Sequence, residues 1–222
     1  MLSHIQDFIV RPRKPKLSVM GGSFLPPGIH HERIVHAVSQ ELQPGDLLKI
    51  LPCGIRPEPH KKHTRISPAI RAELCRGAFG HLLGLQVQLD LSDLESERFT
   101  PHIDLLLRLH RSYPDHEIWF VSGSDIFVGT SNGTGEILGW KEGLKVWRML
   151  NFLVLTRPGF KLDPSDLPVH HELLEFCIQG SSSEIRRRLT VGESIKDLVS
   201  PTVEATIQNH RLWTGNMTQL TP

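Results

Sequence analysis

The stretch Val19-Met20-Gly21-Gly22-Ser23-Phe24-Leu25-Pro26-Pro27-Gly28-Ile29-His30-His31 joins an apolar run to a helical pattern. The run at residues 17–20 predicts a buried strand, and the pattern that begins at Glu32 predicts a helix. Glycines let the backbone approach a phosphate closely, and a helix N-terminus offers unpaired N–H groups. The stretch therefore predicts an anion-binding loop, to which His30 and His31 add donors. An ordinary strand-to-helix turn is the alternative interpretation.

Alternating strands and helices are predicted for the rest of the chain. Apolar runs predict strands at residues 47–51, 85–89, 118–121, 152–155 and 173–178. Helical spacing and capping residues predict helices that begin near Ser67, Ile103, Trp140, Ser181 and Pro201. This alternation indicates an α/β fold, with a Rossmann-like, doubly wound, mostly parallel sheet and helices on both faces. The loops that follow the strands then lie on one rim, where open α/β sheets bind ligands.

Two segments carry more specific expectations. Residues 85–89 alternate between apolar and polar side chains, which indicates a strand with one solvated face or a strand near the edge of the sheet. Residues 129–135 are almost entirely Gly, Ser, Thr and Asn, and we predict a mobile surface insertion there.

Composition and charge limit the class of protein. The chain has 222 residues, with 25 Lys plus Arg against 24 Asp plus Glu, so we expect no general binding to nucleic acid or to membrane surfaces. Its three cysteines form no C-x-x-C pair, which favours a reducing compartment, the cytoplasm. We predict a basic N-terminal arm at 1–16, one domain at 17–213 with a small helical part from about 180, and a tail at 214–222. A homo-oligomer is compatible with the sequence.

The predicted rim collects Gly, His, Lys, Arg and Ser residues, which indicates a polyanionic ligand such as a nucleotide. The residues after the strand at 47–51, Pro-Cys-Gly-Ile-Arg-Pro-Glu-Pro-His-Lys-Lys-His-Thr-Arg, are interpreted as a functional loop of that rim. The chain also has 13 histidines, but their spacing matches no zinc pattern, so we predict no metal site in the protein.

Several motifs in order resemble those of nicotinate or nicotinamide mononucleotide adenylyltransferases. The stretch from Gly21 to His31 is similar to the family pattern G-G-T-F-D-P-x-H-x-G-H. The later similarities are Leu51-Pro52-Cys53 with Pro59-His60-Lys61 and Arg71, Phe120-Val121-Ser122-Gly123-Ser124-Asp125, Trp140-Lys141, Val154-Leu155-Thr156-Arg157-Pro158-Gly159-Phe160, Ser181-Ser182-Ser183-Glu184-Ile185-Arg186, and Val199-Ser200-Pro201-Thr202-Val203.

The resemblance implies transfer of AMP from ATP to the phosphate of a pyridine mononucleotide, which gives the dinucleotide and pyrophosphate in NAD biosynthesis. The substrate's own phosphate oxygen is the nucleophile, so the protein contributes positioning and charge neutralisation. Mg²⁺ is expected to come with ATP. The partners are therefore ATP and the mononucleotide; the choice between nicotinate and nicotinamide stays open.

The resemblance also implies roles for individual residues. Gly21, Gly22, Ser23 and Phe24 contact both nucleotides, and His31 donates to the ATP phosphates. The β- and γ-phosphates are held by Ser182, Ser183 and Arg186, with Lys61 as a further phosphate or mononucleotide ligand. Gly123 and Asp125 meet the adenosine, whereas Phe99, Trp140 and Arg157 belong to the mononucleotide side.

The sequence departs from the family pattern at the first histidine, which falls on Gly28 when counted without gaps from Gly21. We hypothesise that His30, two residues later, takes its place. Two alternatives to the favoured activity stay open: a related transferase with another phosphorylated acceptor, and a regulator that binds nucleotides without turnover.

Overall fold

The computed structural model describes residues 13–56, 66–156, 162–176 and 180–214. Its strands are β1 Lys16–Gly22, β2 Leu47–Pro52, β3 Val87–Leu89, β4 Glu117–Gly123, β5 Asn151–Thr156 and β6 His170–Glu175. Its α-helices are α1 Ile29–Gln40, α2 Pro68–Phe79, α3 Ser92–Glu95, α4 His102–Ser112, α5 Gly143–Met149, α6 Ser182–Val191 and α7 Pro201–Asn209. None of these helices is long and apolar enough to cross a membrane.

The six strands form one parallel sheet in the order β3-β2-β1-β4-β5-β6. The chain builds outward from β1 in both directions, so the strand order reverses between β1 and β4. Ligands bind at this position in open α/β sheets, beyond the carboxyl ends of the strands. The predicted Rossmann-like fold is confirmed, and β3 lies at the edge of the sheet, one of the two alternatives that its alternating pattern indicated.

Two hydrophobic layers cover the sheet. Residues of α1, α2, α6 and α7 pack on one face, and residues of α4 and α5 pack on the other. Burial is complete at the centre of each layer, as at Phe79 in the first and Phe152 in the second. Helices therefore lie on both faces, as the sequence predicted.

Three elements begin three residues away from the predicted position. Helix α1 begins at Ile29 rather than near Glu32, because Gly28 adopts an extended conformation and its carbonyl accepts from the N–H of His31 at 2.8 Å. The helix predicted from Trp140 begins at Gly143, since Glu142 has a left-handed φ of 53°. The last strand, predicted at 173–178, is β6 at His170–Glu175. Its first residues are polar and exposed, so a search for apolar runs does not identify them.

Residues 129–135 lie at the surface as predicted, with positions 131–134 exposed, and hydrogen bonds to a distant carboxylate hold the segment. The buried carboxylate of Asp166 accepts from the N–H of Gly129 at 2.8 Å and from the N–H of Ser131 at 2.7 Å. The side chain of Thr130 is also buried. A distant carboxylate thus orders this segment, and the local composition could not reveal it.

The amino-terminal end of the domain is fixed by Asp46. This buried carboxylate accepts from Arg13 at 2.9 Å, from the N–H of Lys16 at 2.6 Å and from the N–H of Gln43 at 3.0 Å. Burial opposes its ionisation, but these hydrogen bonds outweigh burial and lower the pKa of Asp46. Residues 13–16, assigned by sequence to the arm, therefore pack on the domain, and residues 1–12 lie outside the described structure.

Candidate active site

The loop after β1 forms a backbone cradle at the carboxyl end of the sheet. A Cβ on Gly21 would meet no atom within 4 Å, whereas one on Gly22 would lie 3.1 Å from the Phe24 ring. Phe24 is buried with a left-handed φ of 45°, and its ring packs edge-on against Phe79. The Phe24 ring therefore packs between the loop and the core, and the space beside the backbone of Gly21 stays open.

His31 occupies the first turn of α1 and faces the same space. The backbone N–H of Gly28 donates to its Nδ1 at 3.1 Å. An Nδ1 that accepts a hydrogen bond carries no proton, so the neutral imidazole has its proton on Nε2. The Phe24 ring contacts the imidazole edge-on, with 5.1 Å between centroids. His31 thus presents an oriented N–H donor beside the helix N-terminus.

His30 lies behind His31, with 3.9 Å between the ring centroids. It is buried between two glycines: a Cβ on either Gly28 or Gly180 would lie 2.7 Å from its Nδ1. The imidazole therefore fills the space beside residue 28, which is the position that the motif assigns to the missing histidine. His30 does not line the cavity described below.

The N-terminus of α6 is tied to the loop after β1. Ser181 caps this helix, and Ser182 Oγ donates to the Pro26 carbonyl at 2.8 Å. Arg186 donates to the Leu25 carbonyl and, at 3.0 Å, to Ser183 Oγ. Burial lowers the pKa of Arg186. The predicted phosphate ligands of α6 are thus brought beside the glycine loop.

Arg71 connects the loop that follows β1 to the loop that follows β2. Its side chain is buried in α2 and donates to the carbonyls of Ser23, Cys53 and Gly54. Ser23 follows β1, whereas Cys53 and Gly54 follow β2. The guanidinium therefore sets the position of one loop relative to the other.

A cavity of about 330 Å³ opens at the carboxyl ends of β1 and β4. Of the residues assigned from the sequence, the cavity is lined by Gly21, Gly22, Ser23, Phe24, His31, Phe99, Gly123, Asp125, Trp140 and Ser182. Ser183 and Arg186 lie beside it through the contacts of α6, and His30 lies behind His31. Lys61 and Arg157 fall outside the described residues.

One end of the cavity is aromatic. Trp140 stacks on His102 with 4.1 Å between centroids and 20° between planes, and Phe99 lies in the same lining. The pKa of His102 is lowered to about 4, mainly by burial and to a smaller extent by the positive charge of Arg56. The imidazole is therefore neutral at pH 7. Phe99 and Trp140 were predicted from the sequence, whereas His102 and Arg56 were not. The position of His102 just after Pro101, at a helix start, was the available signal.

A second cavity, of about 270 Å³, lies at the opposite ends of the strands. Four of its five charged side chains form ion pairs with one another, Lys16 with Glu172 and Arg13 with Asp46. The helix start with His31 lines the first cavity and not this one. The cavity at the carboxyl ends is therefore the candidate active site.

No protein-family model matches the chain. It is similar to a probable nicotinate-nucleotide adenylyltransferase of Exiguobacterium sibiricum, with 34% identity over 204 residues, which cover 89% of this chain and 98% of the relative. A second relative of that description, from Desulfitobacterium hafniense, is 30% identical over 89% of this chain and 95% of its own length.

A solved structure is also similar: the Plasmodium falciparum nicotinic acid mononucleotide adenylyltransferase complexed with NaAD, with a TM-score of 0.70 and 25% identity over 90% of this chain and 97% of that chain. Since sequence relatives at 30% identity or more extend over nearly its whole length, the chain belongs to the family of nicotinate-nucleotide adenylyltransferases.

Proposed function

We propose that this chain transfers AMP from ATP to the phosphate of nicotinate mononucleotide, releasing pyrophosphate and forming the dinucleotide. The observation that carries the proposal is the cavity itself, which joins a glycine cradle and an oriented histidine donor to an aromatic end. One end suits phosphates, and the other suits a flat, electron-poor ring. The descriptions of the relatives support nicotinate as the base.

In this reaction an oxygen of the mononucleotide phosphate attacks the α-phosphorus of ATP, and the bond to the bridging oxygen of pyrophosphate breaks. The nucleophile is already an anion, so no side chain has to be deprotonated. The residues hold the two phosphates in line and balance the charge that moves onto the leaving group. We assign His31 Nε2–H to that charge, with Ser182, Ser183 and Arg186 toward the tail of ATP.

The remaining predicted residues divide between the two substrates. The backbone of residues 21–24 lies between both nucleotides, and Gly123 and Asp125 lie toward the adenosine. Phe99 and Trp140 take the pyridine ring. We keep Lys61 and Arg157 as candidate ligands of the phosphates and of the mononucleotide, on the resemblance of their motifs alone.

Nucleotidyltransferases of this kind use a divalent metal with ATP, and we propose Mg²⁺. Within residues 13–56, 66–156, 162–176 and 180–214, no three His, Cys, Asp or Glu side chains are grouped to hold a metal ion. Phosphate oxygens and water are ligands that Mg²⁺ prefers, so we place the ion on the triphosphate rather than in a protein cage. We place the reaction in the cytoplasm, where the free thiols of Cys53 and Cys75 stay reduced.

Pyrophosphate release with ATP and a panel of acceptors tests the proposal. We expect turnover with nicotinate mononucleotide and much less with phosphorylated acceptors that lack a pyridine ring. The variant Gly21→Ala tests the cradle, because its Cβ would meet no atom within 4 Å and would project into the space above the loop. It should melt near the wild-type temperature and release little pyrophosphate. Turnover with an unrelated acceptor alone would contradict the proposal.

A further inference from the structure

The loop after β2 is held against the segment before α4 by backbone pairing. The N–H of Gly54 donates to the Arg98 carbonyl at 2.9 Å, and the N–H of Ile55 donates to the Glu97 carbonyl at 3.3 Å. The approach requires glycine, because a Cβ on Gly54 would lie 2.2 Å from the Arg98 carbonyl oxygen. The pairing therefore fixes where the next residue on each segment lies.

Those next residues are Arg56 and Phe99, and they meet at the aromatic end of the cavity. The guanidinium carbon of Arg56 lies 4.9 Å from the centroid of the Phe99 ring, in a cation–π contact. Both residues line the cavity together with Trp140 and His102. The stacked pair of Trp140 and His102 lies close enough to Arg56 for its charge to act on the imidazole.

The described lining of the cavity holds a single basic side chain with a permanent charge. His102 is neutral at pH 7, and of the described residues that line the cavity, only Arg56 carries a permanent positive charge. The carboxylate of Asp93, which also lines the cavity, forms an ion pair with Arg108. A pyridine ring stacked on Trp140 would thus have a cation near its edge.

We propose that Arg56 is the specificity-determining residue for the pyridine substituent, pairing with the carboxylate of nicotinate mononucleotide and disfavouring the neutral amide. The inference rests on the proposed function, and it adds the residue that distinguishes nicotinate mononucleotide from nicotinamide mononucleotide. A guanidinium binds a carboxylate through short, charge-assisted hydrogen bonds, and a carboxamide offers a single neutral acceptor. The two mononucleotides share the same phosphate, so a difference between them reports on the substituent alone.

Calorimetric binding of the two mononucleotides to the full chain tests this inference. We expect the wild type to bind nicotinate mononucleotide about tenfold more tightly than nicotinamide mononucleotide, the difference typical of a charged over a neutral hydrogen bond. Arg56→Gln should remove most of this preference. It should weaken the binding of nicotinate mononucleotide and change the affinity for nicotinamide mononucleotide by no more than about threefold. Arg56→Lys should keep part of the preference, because the charge remains without the bidentate geometry.

Arg98→Ala is the matched control, since it removes a neighbouring arginine that is exposed and does not line the cavity. It should leave both affinities unchanged. An equal loss for both mononucleotides in Arg56→Gln would overturn the inference and place Arg56 on the shared phosphate, and an unchanged ratio would overturn it as well. Binding of neither mononucleotide to the wild type would also overturn it. Selective binding without pyrophosphate release would support it while contradicting the proposed function.

Discussion

The imidazole of His31 accepts a hydrogen bond at Nδ1 from the backbone N–H of Gly28, 3.1 Å away, in the first turn of α1. One contact thus fixes both the tautomer and the direction of the ring. The Nε2–H donor is set before any substrate binds, which is the condition under which a donor stabilises developing charge most effectively.

Replacing His31 should therefore affect turnover more than binding. We expect His31→Ala to lower kcat roughly a hundredfold to a thousandfold, as for other preorganised donors, with a smaller change in ATP affinity. Steady-state kinetics of pyrophosphate release, together with ATP binding by calorimetry, separates the two effects. A variant that keeps the wild-type kcat would refute the role of His31.

His30 and Gly28 should behave as a coupled pair. Gly28→Ala places a Cβ 2.7 Å from His30 Nδ1 and 2.8 Å from the Leu198 carbonyl, and we expect a loss of about 1–3 kcal/mol in the free energy of unfolding from overpacking. His30→Ala in the same chain should recover part of that loss, because it removes the ring from the crowded space. Urea unfolding of both single variants and of the double variant measures the coupling.

The kinetics of His30→Ala then decide how His30 acts. Because its ring lies behind that of His31, 3.9 Å between centroids, we expect a loss of kcat that is smaller than the loss in His31→Ala. A loss as large as that of His31→Ala would show that His30 itself reaches the phosphates. Kinetics equal to wild type would remove His30 from the site.

Arg186 should matter for ATP, whereas the adjacent Arg187 should not. Removing one charge-assisted phosphate contact costs about 1.5–3 kcal/mol, so Arg186→Ala should lower kcat/KM for ATP about tenfold to a hundredfold. Arg187 is exposed and pairs with Glu184 and Glu193, so Arg187→Ala is the control. Unchanged ATP kinetics in Arg186→Ala would leave only its structural bond to the Leu25 carbonyl.

Asp46 should make the free energy of unfolding of the domain depend on pH in the acidic range. Its pKa is lowered in the folded state, so its stabilising contribution is complete above the unfolded pKa of about 3.9 and is lost as the pH falls through the lower, folded value. Asp46→Ala should lower the free energy of unfolding by about 1–3 kcal/mol at pH 7.

The difference between Asp46→Ala and wild type should shrink below pH 4, as urea unfolding at pH 7, 5 and 3 would measure. The exposed Asp115→Asn serves as the control, with an expected change close to zero. A difference for Asp46→Ala that stays constant from pH 7 to pH 3 would contradict the linkage.

Local patterns in the sequence predicted the sheet and most of the cavity. Such patterns involve residues that are close in the chain, as in the apolar run at 17–20 with the glycines after it. The Ser67 cap of α2 is equally local, because its side chain accepts from the N–H of Ile70. Features that depend on distant partners could not be predicted in this way. Asp166 orders the segment at 129–135 from 37 residues away, and His102 meets Trp140 only after folding.

The buried guanidinium of Arg71 holds the carbonyls of Ser23 on one side and of Cys53 and Gly54 on the other. The first loop forms the glycine cradle that we assign to the phosphates, and the second carries Arg56 at the aromatic end of the cavity. The two loops are therefore mechanically coupled, because a sequence change that moves either loop also disturbs a hydrogen bond of the other. In the reaction that we propose, a side chain such as Arg56 can therefore be exchanged to alter base preference without moving the backbone that carries it.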